Sequence, residues 1–194
     1  MNKTTLFLFL ASTLLLQSCA SFDKNVTNPY KLDKSNVEEL NGLYEIAQID
    51  YDSVYKKYNK NVWVWNNFYK QIDRKLLKDT LHLDSLKSYK FGLEIIKENK
   101  IKVSYIENDT VFRERILKTK LKKDGYLYLK NKNTKCILVP FIAGALDVNR
   151  IRLGKNINGN LIFDYSNNRS GAFLLIIFLD SRTRKNRLEY KKIQ

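Results

Sequence analysis

Little in this chain could build a metal centre, a disulfide framework or a loop that grips phosphate. It contains one histidine, two cysteines, seven glycines and two prolines. A zinc site typically wants about four donors, and His82 stands by itself in Asp79-Thr80-Leu81-His82-Leu83-Asp84. It therefore reads as a surface residue, and no metal ligand is assigned. No Gly-rich phosphate loop appears, and no Gly-x-Ser-x-Gly elbow exposes a nucleophile. No base, acid or nucleophile stands in a recognisable catalytic setting, so no enzymatic activity and no cofactor are expected.

What the chain has in excess is positive charge: 35 Lys and Arg against 20 Asp and Glu, a formal net of +15. Such a balance raises the question of nucleic acid. The charges are dispersed, however, as in Lys56-Lys57, Lys97, Lys100, Lys102, Lys118, Lys120 and Lys122-Lys123, and the export signal described next argues against that partner. A basic domain held near a membrane will instead be drawn to anionic lipid.

After Lys3 no charged residue occurs until Asp23. Between them run Leu6-Phe7-Leu8-Phe9-Leu10-Ala11 and Leu14-Leu15-Leu16, an apolar centre behind a basic start, as in a secretory signal. The run falls short of the roughly 20 apolar residues that cross a bilayer. Leu16-Gln17-Ser18-Cys19 resembles the bacterial lipobox. The resemblance implies that residues 1–18 are removed and that Cys19 becomes the lipidated first residue, with palmitate-type acylation. The leader carries one cation and no acid, leaving 34 Lys and Arg against 20 acids, a net of +14. Residues 19–36 are expected as the lipidated N-terminus and a flexible tether, and residues 37–194 as one domain. Ala20 in place of Asp after the lipidated Cys implies the outer membrane, and the lack of an acidic run implies its periplasmic face. The membrane partner is thus reached through the lipid on Cys19; no protein partner is identified.

With Cys19 modified, Cys136 has no disulfide partner in the chain. In the apolar run Thr134-Lys135-Cys136-Ile137-Leu138-Val139 it reads as a buried, inert thiol.

Along the mature chain, Ser35 stands three residues before Glu38, the spacing of a capping box that opens a short helix, and Asn41-Gly42 can close it. Leu43 to Asp50 reads as a first strand. In the stretch from Asp52 to Leu83, Val64, Phe68 and Ile72 recur at spacing four beside Trp65 and Tyr69, which predicts one amphipathic helix or two. From Ser88 the period becomes two. Tyr89-Phe91-Leu93-Ile95, Ile101-Val103-Tyr105, Val111 to Leu121, Tyr126 to Lys130, Thr134 to Phe141 and Asp147 to Leu153 read as strands. Asn158-Gly159 is the strongest hairpin signal. Asn160 to Tyr165 and Ala172 to Leu179 follow, with Ser170-Gly171 between them, and Arg182 to Gln194 reads as an edge strand or a frayed tail. Arg113 with Arg115, and Arg150 with Arg152, share strand faces that could grip a carboxylate or phosphate, though they read first as solvated surface. The connections are too short for crossover helices, so pairing must be antiparallel, in a barrel or a β-sandwich.

Leu40-Asn41-Gly42-Leu43-Tyr44 after a short helix, followed by an up-and-down run of strands to about Leu179, resembles the lipocalin-like (calycin) barrels. Tyr44 stands where that family usually has Trp, and the helical insertion after the first strand departs from its plan. The resemblance implies an eight-stranded barrel able to hold a small apolar or amphiphilic ligand, with Phe91, Leu93, Val103, Tyr105, Leu127 and Leu129 on the inward face. The residues alone read more simply as a filled core. Two functions follow: a lipid-anchored carrier of a small amphiphile, or an interaction domain docking through its basic face and the Trp63–Tyr69 segment on an envelope partner or anionic lipid. The lipid anchor itself has a direct check: replacing Cys19 by Ser is expected to move the protein from the membrane to the soluble fraction, and wild-type membrane retention would refute it.

Overall fold

The computed structural model describes residues 21–23, 25–49, 67–72, 83–84, 86–130, 133–139, 143–173 and 177–193, with side chains excepted at 133–146 and 170–181. The leader, Cys19, Trp63, Trp65 and His82 lie outside these residues, as does the side chain of Cys136.

Strand dominates, at 59 %. A 3-10 helix, Val37–Leu40, leads into β1 (Gly42–Gln48). After a short helix α1 (Phe68–Ile72) come β2 (Tyr89–Lys97), β3 (Lys100–Glu107), β4 (Thr110–Leu121) and β5 (Leu127–Leu129). Then follow β6 (Asn133–Val139), β7 (Ala143–Lys155), β8 (Leu161–Phe173) and β9 (Ile177–Lys192). Every pairing is antiparallel. The meander β1-β2-β3-β4-β5 closes on β7 through Leu127↔Leu153 and Tyr128↔Arg152, and β9 returns to β1 at Tyr44↔Lys192. Eight strands thus make a closed barrel and not a sandwich. Closure leaves no ring strand with an unpaired edge at the core.

β6 is the strand outside the ring. It pairs with the first half of β7, while β5 pairs with the second half, so the two lie along the same edge of β7. With β6, the outer halves of β7, β8 and β9 continue as a four-stranded extension of the wall.

Several local expectations shift. Ser170-Gly171 does not turn the chain: both residues sit inside β8, paired with β7 and β9. Arg182 to Lys192 is neither tail nor outer edge. It completes β9, and Tyr190 is buried in the core. Three hydrogen bonds converge on the Asp33 carboxylate, from Ser35 N–H (2.8 Å), Ser35 O–H (2.6 Å) and Asn36 N–H (3.2 Å), so Asp33 and not Ser35 organises the 3-10 helix start. Asn108 (φ 47°) and Asp109 (φ 64°) are both left-handed, and they form the two-residue primed turn between Glu107 and Thr110. At Asn158-Gly159 only the glycine is left-handed (φ 85°). That hairpin is held by Asn156, whose side-chain oxygen accepts from Asn158 and Asn160 N–H at 2.9 Å each.

The barrel interior is filled by aromatic side chains. Phe68 of α1 lies parallel to Phe91, ring centroids 3.5 Å apart, and meets Phe163 (5.7 Å) and Tyr190 (5.3 Å) edge-on. Tyr44 stacks on Phe91 from another side and donates its hydroxyl to the Leu40 carbonyl (2.9 Å). Tyr69 meets Tyr105 at 4.7 Å. Its hydroxyl accepts from Ile106 N–H (3.0 Å) and donates to the Lys90 carbonyl, so it is tied to the β2–β3 wall. Tyr190 donates to the Gln71 side chain (2.8 Å). Burial pushes the Tyr44, Tyr69 and Tyr190 phenols well above their usual value, so these three stay neutral.

Truncating the plug should therefore be costly. Phe68→Ala is expected to lose about 3–5 kcal/mol of unfolding free energy, read by urea denaturation. A loss below about 1 kcal/mol would mean that α1 does not carry the core.

Candidate functional site

Strand alternation does turn the six residues expected to line the barrel inward. Phe91, Leu93, Val103, Tyr105, Leu127 and Leu129 are all buried in one apolar cluster. The space before Phe91 and Tyr105 is taken by Phe68 and Tyr69. Arg113 and Arg115 are a correction. They pair with Tyr105 and Val103, so they share the core-facing side of β4 and are half-buried, not solvated surface. Arg150 and Arg152 share the outer face of β7 but differ in setting: Arg150 is exposed, whereas Arg152 is buried.

Arg152 belongs to a clamp that the sequence does not announce. Cross-strand pairing sets Arg152, Asp164 and Arg187 side by side on the outer wall of β7, β8 and β9. The buried Asp164 carboxylate accepts from Arg152 Nε (2.8 Å) and from Arg187 Nε (2.7 Å) and Nη2 (2.9 Å). The Asp124 carboxylate also approaches Arg152 Nη1 (3.7 Å), and aromatic faces and a carbonyl surround the two guanidiniums. Arg152 lies between the rings of Tyr126 (3.9 Å) and Phe22 (4.5 Å). Tyr126 fits there because Gly154 beneath it has no side chain; a Cβ would come within 2.9 Å of its ring. Burial opposes the charge on Arg187, but the Asp164 carboxylate and the Tyr126 hydroxyl outweigh it and hold the guanidinium above its usual value.

The clamp fastens the N-terminal stretch expected as a tether. Arg187 Nη1 donates to the Thr27 carbonyl (2.9 Å), and the Ser166 hydroxyl donates to the Ser21 carbonyl (2.8 Å). Asn28 reaches the Asp124 and Gly125 carbonyls (3.0 and 2.9 Å), and Leu32 N–H donates to the Gly125 carbonyl (3.0 Å). Gly125 is left-handed (φ 77°), and a Cβ there would stand 2.8 Å from both Asn28 and Lys31. Leu32 itself is buried in the core. Far from lacking a core, this stretch lies as a strap on the wall. The polar, unpatterned sequence of the stretch carries no sign of it.

Beside the strap the wall carries a group of cations. Lys118 and Lys120 project outward from β4, with Leu117 and Thr119 buried between and beside them. Lys122 follows, its ammonium 3.7 Å from the Tyr128 ring. Between Tyr128↔Arg152 and Asn133↔Asn149 the β5–β6 line has two residues more than β7, so the wall bulges open. There a cleft of about 780 Å³ is lined by Lys118, Lys120, Lys122, Lys130 and Arg150, with Leu129, Val148 and Ile151, and by no carboxylate among the described residues. Among the described residues, Lys118, Lys120 and Lys130 make no ion pair. A second cleft of about 670 Å³ shares Lys120, Lys122 and Lys130 and continues past Lys31 and Lys34 to the 3-10 helix. Among the described residues no three His, Cys, Asp or Glu come together as a metal set.

Comparison with protein families, with curated proteins and with solved structures finds no match to this chain. The fold therefore defines the class: a closed eight-stranded antiparallel β-barrel, an architecture compatible with the lipocalin-like barrels.

The clamp has a sharp test. Asp164→Asn keeps the shape but removes the buried counter-charge that the two arginines share, leaving Arg152 only its longer contact with Asp124, and should cost about 3–5 kcal/mol while speeding proteolysis within residues 21–30. Unchanged stability and cleavage would show that the strap is held by other contacts.

Proposed function

We propose that this is a non-enzymatic, lipid-anchored envelope protein whose plugged barrel docks through its basic wall on anionic lipid headgroups. The observation that carries this reading is the set of outward cations on one stretch of wall, Lys118, Lys120, Lys122, Lys130 and Arg150, with no carboxylate among the described lining residues. Exposed ammonium groups gain roughly 1 kcal/mol each near an anionic surface, so a handful acting together supports appreciable attraction. The expected lipid on Cys19 adds a second tie, and two weak membrane signals hold where one does not. An outer-membrane address on the periplasmic face agrees with both.

Occupied interior space favours docking over carriage. A carrier of a small amphiphile needs Phe68 and Tyr69 to leave the chamber, which breaks the Phe68–Phe91 stack and the hydrogen bonds from the Tyr69 hydroxyl. That second reading keeps one specific support: the described part of the plug is a short helix, Phe68–Ile72, and not a strand of the wall.

Flotation of the chain from Ser21 onward with vesicles tests the docking reading, since every described contact lies within that span. Binding is expected to phosphatidylcholine vesicles doped with phosphatidylglycerol, to weaken steeply as salt shortens the screening length to about 3 Å at 1 M, and to be absent with phosphatidylcholine alone. Binding that ignores salt, or none to either vesicle, would overturn it.

A further inference from the structure

We infer that the cleft where β5 gives way to β6 is a seat for the phosphate group of a membrane lipid, and that it lies where the anchor holds it against the bilayer. The inference rests on the docking reading and makes it specific, replacing a diffuse charged wall by one built site.

The first support is the cleft's chemistry. Lys118 and Lys130 are neighbours, because Lys130 N–H donates to the Lys118 carbonyl (2.7 Å), and Lys120 lies two residues further along the same face of β4. Three ammonium groups on one rim offer compact, rotatable donors of the kind that bind a phosphate as a point charge. Next to them the cleft holds apolar Leu129 and Ile151, a surface for the first carbons of a lipid's glycerol and acyl portion. Asn149, also in the lining, has a buried side-chain oxygen with no hydrogen-bond partner. A buried acceptor left unpaired is costly, and a headgroup hydroxyl would satisfy it. Charge, apolar floor and free acceptor together describe a phosphorylated amphiphile with a hydroxyl-bearing head. A bare anion would use only the first.

The second support is independent of the cleft's lining. Ser166 is bonded to the Ser21 carbonyl and is the cross-strand partner of Arg150, on the cleft wall. Phe22 packs edge-on against Tyr128, another lining residue (5.5 Å). The strap thus begins at the cleft rim. Ser21 lies two positions after Cys19, with Ala20 alone between them, a reach of at most about 7 Å when extended. A lipid on Cys19 would enter the bilayer beside this cleft, which selects a lipid headgroup over a phosphate free in solution.

The test compares two double charge reversals in the chain from Ser21 onward, titrated with phosphatidylcholine vesicles containing phosphatidylglycerol. Lys118→Glu with Lys130→Glu alters the cleft. Lys97→Glu with Lys191→Glu makes the same charge change on β2 and β9, away from it. The cleft pair is expected to weaken vesicle binding about tenfold or more, and the control pair only about twofold. Millimolar inorganic phosphate should leave wild-type binding nearly unchanged at constant ionic strength. Equal losses in the two variants would overturn the cleft while leaving docking by the basic wall intact. Full displacement by inorganic phosphate would overturn the lipid assignment in favour of a free anion. If the wild-type chain ignores these vesicles altogether, the docking reading falls and this inference with it.

Discussion

The parallel contact between Phe68 and Phe91 is the constraint on which the barrel depends. Eight short strands can close a ring only if side chains fill its interior without voids. Here the wall residues do not fill it unaided. Phe91, Phe163 and Tyr190 come from three different strands and all meet the Phe68 ring supplied by α1, while Tyr44 of a fourth strand stacks on Phe91. The helix is therefore a structural insert, placed by the chain between the first and second strands and tied at both ends. Tyr69 holds the β2–β3 wall, and Gln71 receives the hydroxyl of Tyr190 on β9.

On the outside, order comes from electrostatics. A buried carboxylate between two arginines is stable only when the remaining donors are satisfied. The donors of Arg152 and Arg187 that Asp164 does not take face the Asp124 carboxylate, the Tyr126 hydroxyl, the Thr27 carbonyl and the flanking aromatic rings. In this way a charge requirement on the wall fixes the course of the N-terminal strap, and with it the point from which any anchor departs. The same wall keeps a group of lysines free of acids a short distance away. Where acids are close, as in Glu39 with Lys155 or Glu107 with Lys87, the pairs lie elsewhere on the barrel.

Much of the barrel was legible in the sequence. Alternation in Tyr89-Phe91-Leu93 and Ile101-Val103-Tyr105 marked both the strands and their inward faces, because side-chain direction in a strand follows parity alone. The turns were less legible. Asn108-Asp109 adopts the primed geometry that Asn158-Gly159 seemed to promise, since loop length and the Asn156 side chain decide how the second hairpin closes. Ser170-Gly171 looked like a break and is interior to β8, because pairing on both sides outweighs a local preference. Of the candidate sites, the inward residues could be named, but that Phe68 and Tyr69 occupy the space before them could not.

Residue order and local period alone account for the apolar run behind a basic start, the strong positive balance, the β-rich domain and the inward parity of its strands. Tertiary structure decided that the sheet closes into a barrel, that α1 fills it, that Asp164 gathers two arginines, and that Lys118, Lys120 and Lys130 share one cleft. Each of these is a meeting of residues far apart in the chain, set by strand register and packing, and no local period encodes which distant partner a strand will take.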